Sequence, residues 1–191
     1  MNFYKDTAPT IETNDGDKVN IISLAKTVVR LVDMNYNKNT LHLTKDLIKQ
    51  ANSNRTWSGD SVVIAGVTIT INDDMSLTFN GTATVLFEFA LYSRLDDTFH
   101  LDPGTYVLSG IPYINDDTFI GCNRTVDGSS VRYGIQTGAT PYTTFTVTDS
   151  TAPTGVWIGV PNTTGTVFNN FIIKPMICYK EFYDISPNYV P

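Results

Sequence analysis

Histidine and cysteine are scarce in this chain, two of each in 191 residues. His42 and His100 stand in different regions with no motif around either, so neither a metal cluster nor a histidine-based acid–base pair is indicated. Cys122 and Cys178 lack the close spacing of a zinc knuckle, and a disulfide between them is geometrically open but unforced. No Ser or Cys lies in a nucleophile-elbow pattern, which leaves no catalytic constellation to assign. Charged residues make up only 17%, and the net charge is -6. That balance excludes a general nucleic-acid binder, because phosphate binding needs clustered Lys and Arg. No apolar run approaches the ~20 residues of a membrane-spanning helix, so no membrane partner is expected. Met1 to Asp6 carries no basic region ahead of an apolar one, so no signal peptide is expected and synthesis in the cytosol follows. The N-x-Thr triplets at Asn54, Asn80, Asn123 and Asn162 then read as loop composition.

What the chain does have is aromatic residues, 10 Tyr and 10 Phe, and short alternating segments, a composition that leans toward β structure. In Val67-Thr68-Ile69-Thr70-Ile71 the apolar side chains recur every second residue, and Leu77-Thr78-Phe79 repeats the period after a turn at Asn72 to Ser76. Asn80-Gly81 reads as the next turn, leading into a strand in which Val85, Phe87 and Phe89 share the inward face. Asp102-Pro103-Gly104 supplies a further turn before Tyr106-Val107-Leu108. Residues 111 to 141 are the least regular part, with Phe119 to Cys122 and Val131 to Tyr133 as short strands and Gly134 to Pro141 as loop. Thr143 to Thr148, Gly155 to Val160 and Phe171 to Ile173 alternate again, and Pro175 marks an edge or bulge. Eight to ten strands at such spacing predict a mainly β chain, an antiparallel two-sheet β-sandwich of jelly-roll-like closure.

Several of these segments carry a resemblance. Gly66 to Asp74, Leu77 to Thr84, Leu101 to Gly110 and Asn170 to Ile177 resemble, in order and spacing, the carbohydrate-binding-like β-sandwich modules of bacteriophage structural appendages. The match covers roughly residues 45 to 191 and departs at Met75, where the family has Gly after the acidic pair. The resemblance implies a virion part, made in the host cytoplasm, with a sandwich fold and no particular ligand.

The leader is different. Residues 1 to 16 read as an extended polar arm. From Asp17, Ile21, Leu24, Val28 and Leu31 are spaced as a helical stripe, although Val28, Val29 and Val32 leave a strand open. The stripe is either a helix packed on the sandwich or a self-association seam, with a trimer favoured over a dimer. Residues 1–40 are thus expected as an attachment or oligomerisation element and 41–191 as the sandwich. Charge is unevenly placed as well: residues 1–56 hold 8 Lys and Arg against 6 Asp and Glu, a balance of +2, and residues 57–191 hold 5 against 13, a balance of -8.

Two candidate binding residues emerge from the period of two. If Val156, Ile158 and Val160 face inward, Trp157 and Gly159 face outward, and Ile172 does so beside Ile173. A large apolar group presented outward calls for a partner, whether a sugar, a neighbouring subunit or the chain's own leader helix. Asp73-Asp74, Asp96-Asp97 and Asp116-Asp117 lie in turn sequences where Asp is favoured for its own backbone bonds, so no metal site and no cofactor are assigned. The reading is a non-enzymatic phage virion structural or decoration protein whose partners are other virion proteins. A module that adheres to cell-surface glycan is the alternative.

Overall fold

The computed structural model describes residues 10–12, 18–20, 40–93, 101–115, 118–126, 129–148, 155–160, 165–185 and 187–189. The chain divides into two compact units, Met1–Lys38 and Asn39–Pro191. In the first, β1 (Thr10–Glu12) pairs antiparallel with β2 (Lys18–Asn20), Ile11 opposite Val19. Strand therefore occupies Lys18–Asn20, where the helical stripe was expected to begin, because these residues complete a ladder with Thr10–Glu12. The seam residues Ile21, Leu24, Val28 and Leu31 lie outside the described residues.

The second unit is mainly β, with antiparallel sheets. It opens on buried Leu41 and Leu43, while the Thr40 amide and hydroxyl both donate to the Ile177 carbonyl at 2.7 and 2.9 Å. A short helix follows, α1 (Lys45–Ala51). Thr44 makes it a helix rather than a strand, since its hydroxyl accepts from the Leu47 amide at 3.1 Å and satisfies a donor of the first turn. Ile48 faces the core and is fully buried.

Next come β3 (Trp57–Ser58), β4 (Ser61–Ile64), β5 (Val67–Ile71) and β6 (Leu77–Thr82), each paired with the one before it. Val67, Ile69 and Ile71 are buried and the two threonines between them are not, as the alternation requires. Ala65 and Gly66, at φ +49 and +84, form the two-residue turn between β4 and β5. At the next turn Met75 takes φ +58, the left-handed region, at the position where the phage modules have Gly.

Asn80-Gly81 is not a turn. β6 runs through both residues, and Gly81 pairs with Val67 so closely that a Cβ there would lie 2.3 Å from the Gly66 carbonyl oxygen. The glycine serves backbone approach, and the chain turns later, at 83–86. Val85 falls in that turn and is 57% exposed instead of sharing the face of buried Phe87 and Phe89, since β7 (Phe87–Ser93) has not yet begun.

The remaining strands are β8 (Gly104–Ser109), β9 (Phe119–Val126), β10 (Ser129–Thr137), β11 (Tyr142–Val147), β12 (Gly155–Val160), β13 (Val167–Ile173) and β14 (Met176–Tyr179), followed by α2 (Lys180–Ile185). The region expected to be least regular holds the long pair β9 and β10, and Gly134 to Thr137 are strand rather than loop. A bulge between Arg132 and Gly134 breaks the alternation there, which is why the period of two is illegible in the sequence.

The ladders run β10-β9-β12-β7, β11-β8-β14 and β13-β6-β5-β4-β3. Only Lys174 and Pro175 separate β13 from β14, yet β13 pairs with β6 and β14 with β8. The Lys174 amide still donates to the Gly110 carbonyl at 2.8 Å, and Pro175 has no proton to give, so the ladder changes partner there.

All three ladders feed one buried cluster. Phe89 meets Phe79 edge-on at 6.5 Å and Trp57 at 6.3 Å, and Tyr106 stacks between Phe145 and Tyr179 at 5.6 and 4.5 Å. Each such ring contributes about 1.5–3 kcal/mol by burial. On the other face of β8 and β14 a smaller cluster of Val107, Met176 and Cys178 lies under Tyr142, Tyr183 and Tyr189. Two buried amides tie loops to sheets. Gln136 accepts from the Ile111 amide at 3.0 Å and donates to the Ile111, Thr137 and Thr140 carbonyls. Asn52 donates to Ile48 O and Ala90 O at 2.8 and 2.7 Å and accepts from the Ala90 amide at 3.3 Å, completing part of the β7 edge as a neighbouring strand would.

Candidate functional site

The outer face of the β10-β9-β12-β7 sheet is built by glycines as much as by side chains. Val156, Ile158 and Val160 are completely buried, so Trp157 and Gly159 turn to the opposite face of β12. In the ladder with β9, Trp157 stands opposite Gly121 and Gly159 opposite Phe119. A Cβ at Gly121 would lie 2.8 Å from the indole, and one at Gly159 would lie 2.4 Å from the Phe119 ring. Each ring therefore lies over the other strand's glycine, in reciprocal fashion. The two rings meet edge to face, 88° apart with centroids at 6.3 Å.

Arg132, on the neighbouring strand β10, completes a triangle. Its guanidinium carbon is 5.8 Å from the Trp157 ring centre and 5.9 Å from that of Phe119, within cation–π range of both. The side chain is exposed, and among the described residues no carboxylate forms an ion pair with it. Glu88, the exposed acid of β7, stands in register with Gly159, whereas Arg132 stands in register with Asn123 and so with Gly155. Three strand spacings and four residues separate the two, roughly 20 Å. The triangle offers two aromatic surfaces and a fork of N–H donors that is without an ion-pair partner among the described residues, a chemistry of recognition rather than of bond making.

Ile172 lies elsewhere. It is 43% exposed on β13 and lines a cleft of about 400 Å³ with Pro112, Lys174, Tyr183 and Tyr189. Tyr189 donates to the Asp74 carbonyl at 2.8 Å, and the Lys174 ammonium sits 5.7 Å from its ring centre. Trp157 and Ile172 belong to different ladders and do not form one patch. Trp57 packs on Phe89, with Lys49 5.9 Å from its ring centre.

The carboxylates of the first hairpins are occupied by local partners. Lys45 and Lys49 each approach Asp60 to 2.7 Å and hold its carboxyl at about 2, well below the usual range. Lys45 also pairs with Asp73 at 2.7 Å, while Asp74 accepts from the Ser76 hydroxyl and amide, which lowers its pKa. Among the described residues no three His, Cys, Asp or Glu side chains gather as a ligand set. Cys122 and Cys178 are buried thiols not joined in a disulfide, the first within the large cluster and the second within the small one. Burial pushes the Cys122 thiol up to about 12. His42 is exposed, and His100 lies outside the described residues.

Phe119 and Arg132 were not singled out by sequence reasoning. The signal for Phe119 was present: Phe119-x-Gly121 and Trp157-x-Gly159 share one spacing, and antiparallel pairing of two such tripeptides sets each ring over the partner's glycine. Arg132 had no comparable signal, because its direction depends on the bulge beside it. No family model matches the chain, and no curated protein or solved structure matches it either.

Proposed function

We propose that the chain is a non-enzymatic structural or decoration protein of a bacteriophage particle, in which residues 41–191 form a jelly-roll-like two-sheet sandwich displayed on the surface. The observation that carries the fold is the shared strand at Lys174-Pro175. Taken as one bent strand, β13 and β14 join β6 to β8, and the second sheet reads β6, β13/β14, β8, β11. Numbering the eight strands from β6 onward, this is order 1-8-3-6 facing order 2-7-4-5 of the β7, β12, β9, β10 sheet. With β5, β4 and β3 continuing the second sheet beyond β6, this order matches that of a jelly roll and supports the reading. The virion assignment rests on the resemblance of residues 45–191 to phage appendage modules, and the leader seam at Ile21, Leu24, Val28 and Leu31 supplies attachment or self-association. Mass spectrometry of gradient-purified particles tests it: the chain is expected at a fixed copy number per particle, and its absence from particles overturns the reading. Light scattering of the wild type and of a Leu24→Asp, Val28→Asp variant tests the seam, which fails if the wild type is a monomer at tens of micromolar.

A second reading is favoured by the triangle of Trp157, Phe119 and Arg132: the displayed sandwich adheres to cell-surface glycan. Rings held rigidly over glycines lose little freedom on binding, which suits weak, repeated contacts. Binding of the full chain on a broad glycan array, lost in Trp157→Ala, supports this reading; a silent array overturns it.

A further inference from the structure

We infer that the sheet face around Arg132 selects an acidic glycan, one whose sugar carries a carboxylate, and this inference rests on the adhesion reading just given. The argument begins with what the triangle leaves available. The indole lies against the backbone at Gly121 and the phenyl ring against the backbone at Gly159, so neither ring is free to rotate toward a ligand. The guanidinium, near both ring centres, is the exposed group of the three and forms no ion pair among the described residues. An arginine resting on aromatic rings keeps its planar fork oriented, and that fork fits a carboxylate through two parallel N–H···O bonds. Among the described residues, Glu88 is the acid in register on this face, and at roughly 20 Å it is too far to neutralise the guanidinium.

The charge of the whole chain narrows the ligand further. At -6 the protein repels a dense polyanion at long range. A single oxyanion on an otherwise neutral saccharide avoids that repulsion and still meets the fork. A sulfate ester can also set two oxygens on the fork, but it is a far weaker base than a carboxylate and so a weaker acceptor for the N–H donors.

The test uses the full chain and three tetrasaccharides by calorimetry: one containing glucuronate, its carboxyl-reduced glucose counterpart, and a neutral one bearing a 6-O-sulfate. The glucuronate sugar is expected to bind about tenfold tighter than the reduced one, the ratio set by one charge-assisted pair. Arg132→Gln is expected to bring that ratio to about one, whatever its effect on the reduced sugar alone, and Arg132→Lys to keep only part of it, since an ammonium lacks the fork. Arg132 is exposed, so both variants are expected to unfold at the wild-type urea midpoint. Equal binding of the glucuronate and reduced sugars overturns the inference but leaves the adhesion reading standing. Preference for the sulfate overturns the carboxylate assignment. Failure of all three sugars, together with a silent array, overturns both.

Discussion

The indole of Trp157 occupies the space that a side chain on Gly121 would need, 2.8 Å from the position of its missing Cβ. Gly121→Ala should therefore push the indole off the sheet, where Phe119 and Arg132 already crowd it. The expected cost is about 1–3 kcal/mol, the range for forcing an extra methyl into a packed site. In a Trp57→Phe background, leaving one indole to report, the emission should move to longer wavelength. Gly159→Ala should act in the same way through Phe119, and the double variant should cost less than the sum because both changes disturb one ring pair.

Asn52 should be far more sensitive than an exposed asparagine. Its side chain makes three hydrogen bonds to backbone, two of them to Ala90 on β7. Asn52→Ala leaves those groups unsatisfied in a nearly closed site and should lower stability in urea by about 2–3 kcal/mol. Amide exchange at Ala90 should accelerate in the same variant. An unchanged urea midpoint would mean that water replaces the side chain without loss.

Acid should weaken the Lys45–Asp60–Lys49 cluster within a definable window. Asp60 ionises at about 2 in the folded chain against an ordinary 3.8. A depressed carboxyl adds stability above its unfolded value and loses it as pH falls through its folded value. The stability difference between wild type and Asp60→Asn should thus be constant above about pH 5, shrink between about 4 and 2, and vanish below. Urea midpoints measured across that range at fixed ionic strength would reveal a flat difference if the lysines contribute nothing.

Ala65 occupies a position that the turn would give to another residue. Its φ of +49 is left-handed, the following Gly66 is at +84, and Asn-Gly is the preferred pair in such a hairpin. Ala65→Asn should stabilise the protein by about 0.5–1 kcal/mol in thermal and urea melts. Destabilisation would show that the alanine methyl, which packs at the edge of the core, matters more than the backbone.

Much of this fold was legible where one face is wet and one dry. Val67 to Ile71 and Val156 to Val160 place their buried residues where the period of two puts them, since each strand has a single consistent inner face. Legibility failed where the backbone departed from that regularity. Gly81 reads as a turn in sequence but is a point of close approach to Gly66, a distinction that only the pairing reveals. β10 was cut short because its bulge shifts the period at Arg132. The candidate site was half visible: Trp157 declared itself by parity, whereas its partners Phe119 and Arg132 come from other strands and depend on register.

The change of partner at Lys174-Pro175 also bears on how the chain is made. β6 ends at Thr82, and the strand that pairs with its free side begins opposite it at Val167, 85 residues later. On a ribosome adding about 5–20 residues per second, that edge waits several seconds for its partner. β8 waits likewise for β14, and both edges close in the same short stretch of synthesis because β13 and β14 leave the tunnel together. Nascent chains stalled before residue 167 should accordingly remain protease-sensitive and prone to edge-to-edge association, and emergence of β13 and β14 should bring protection in a single step.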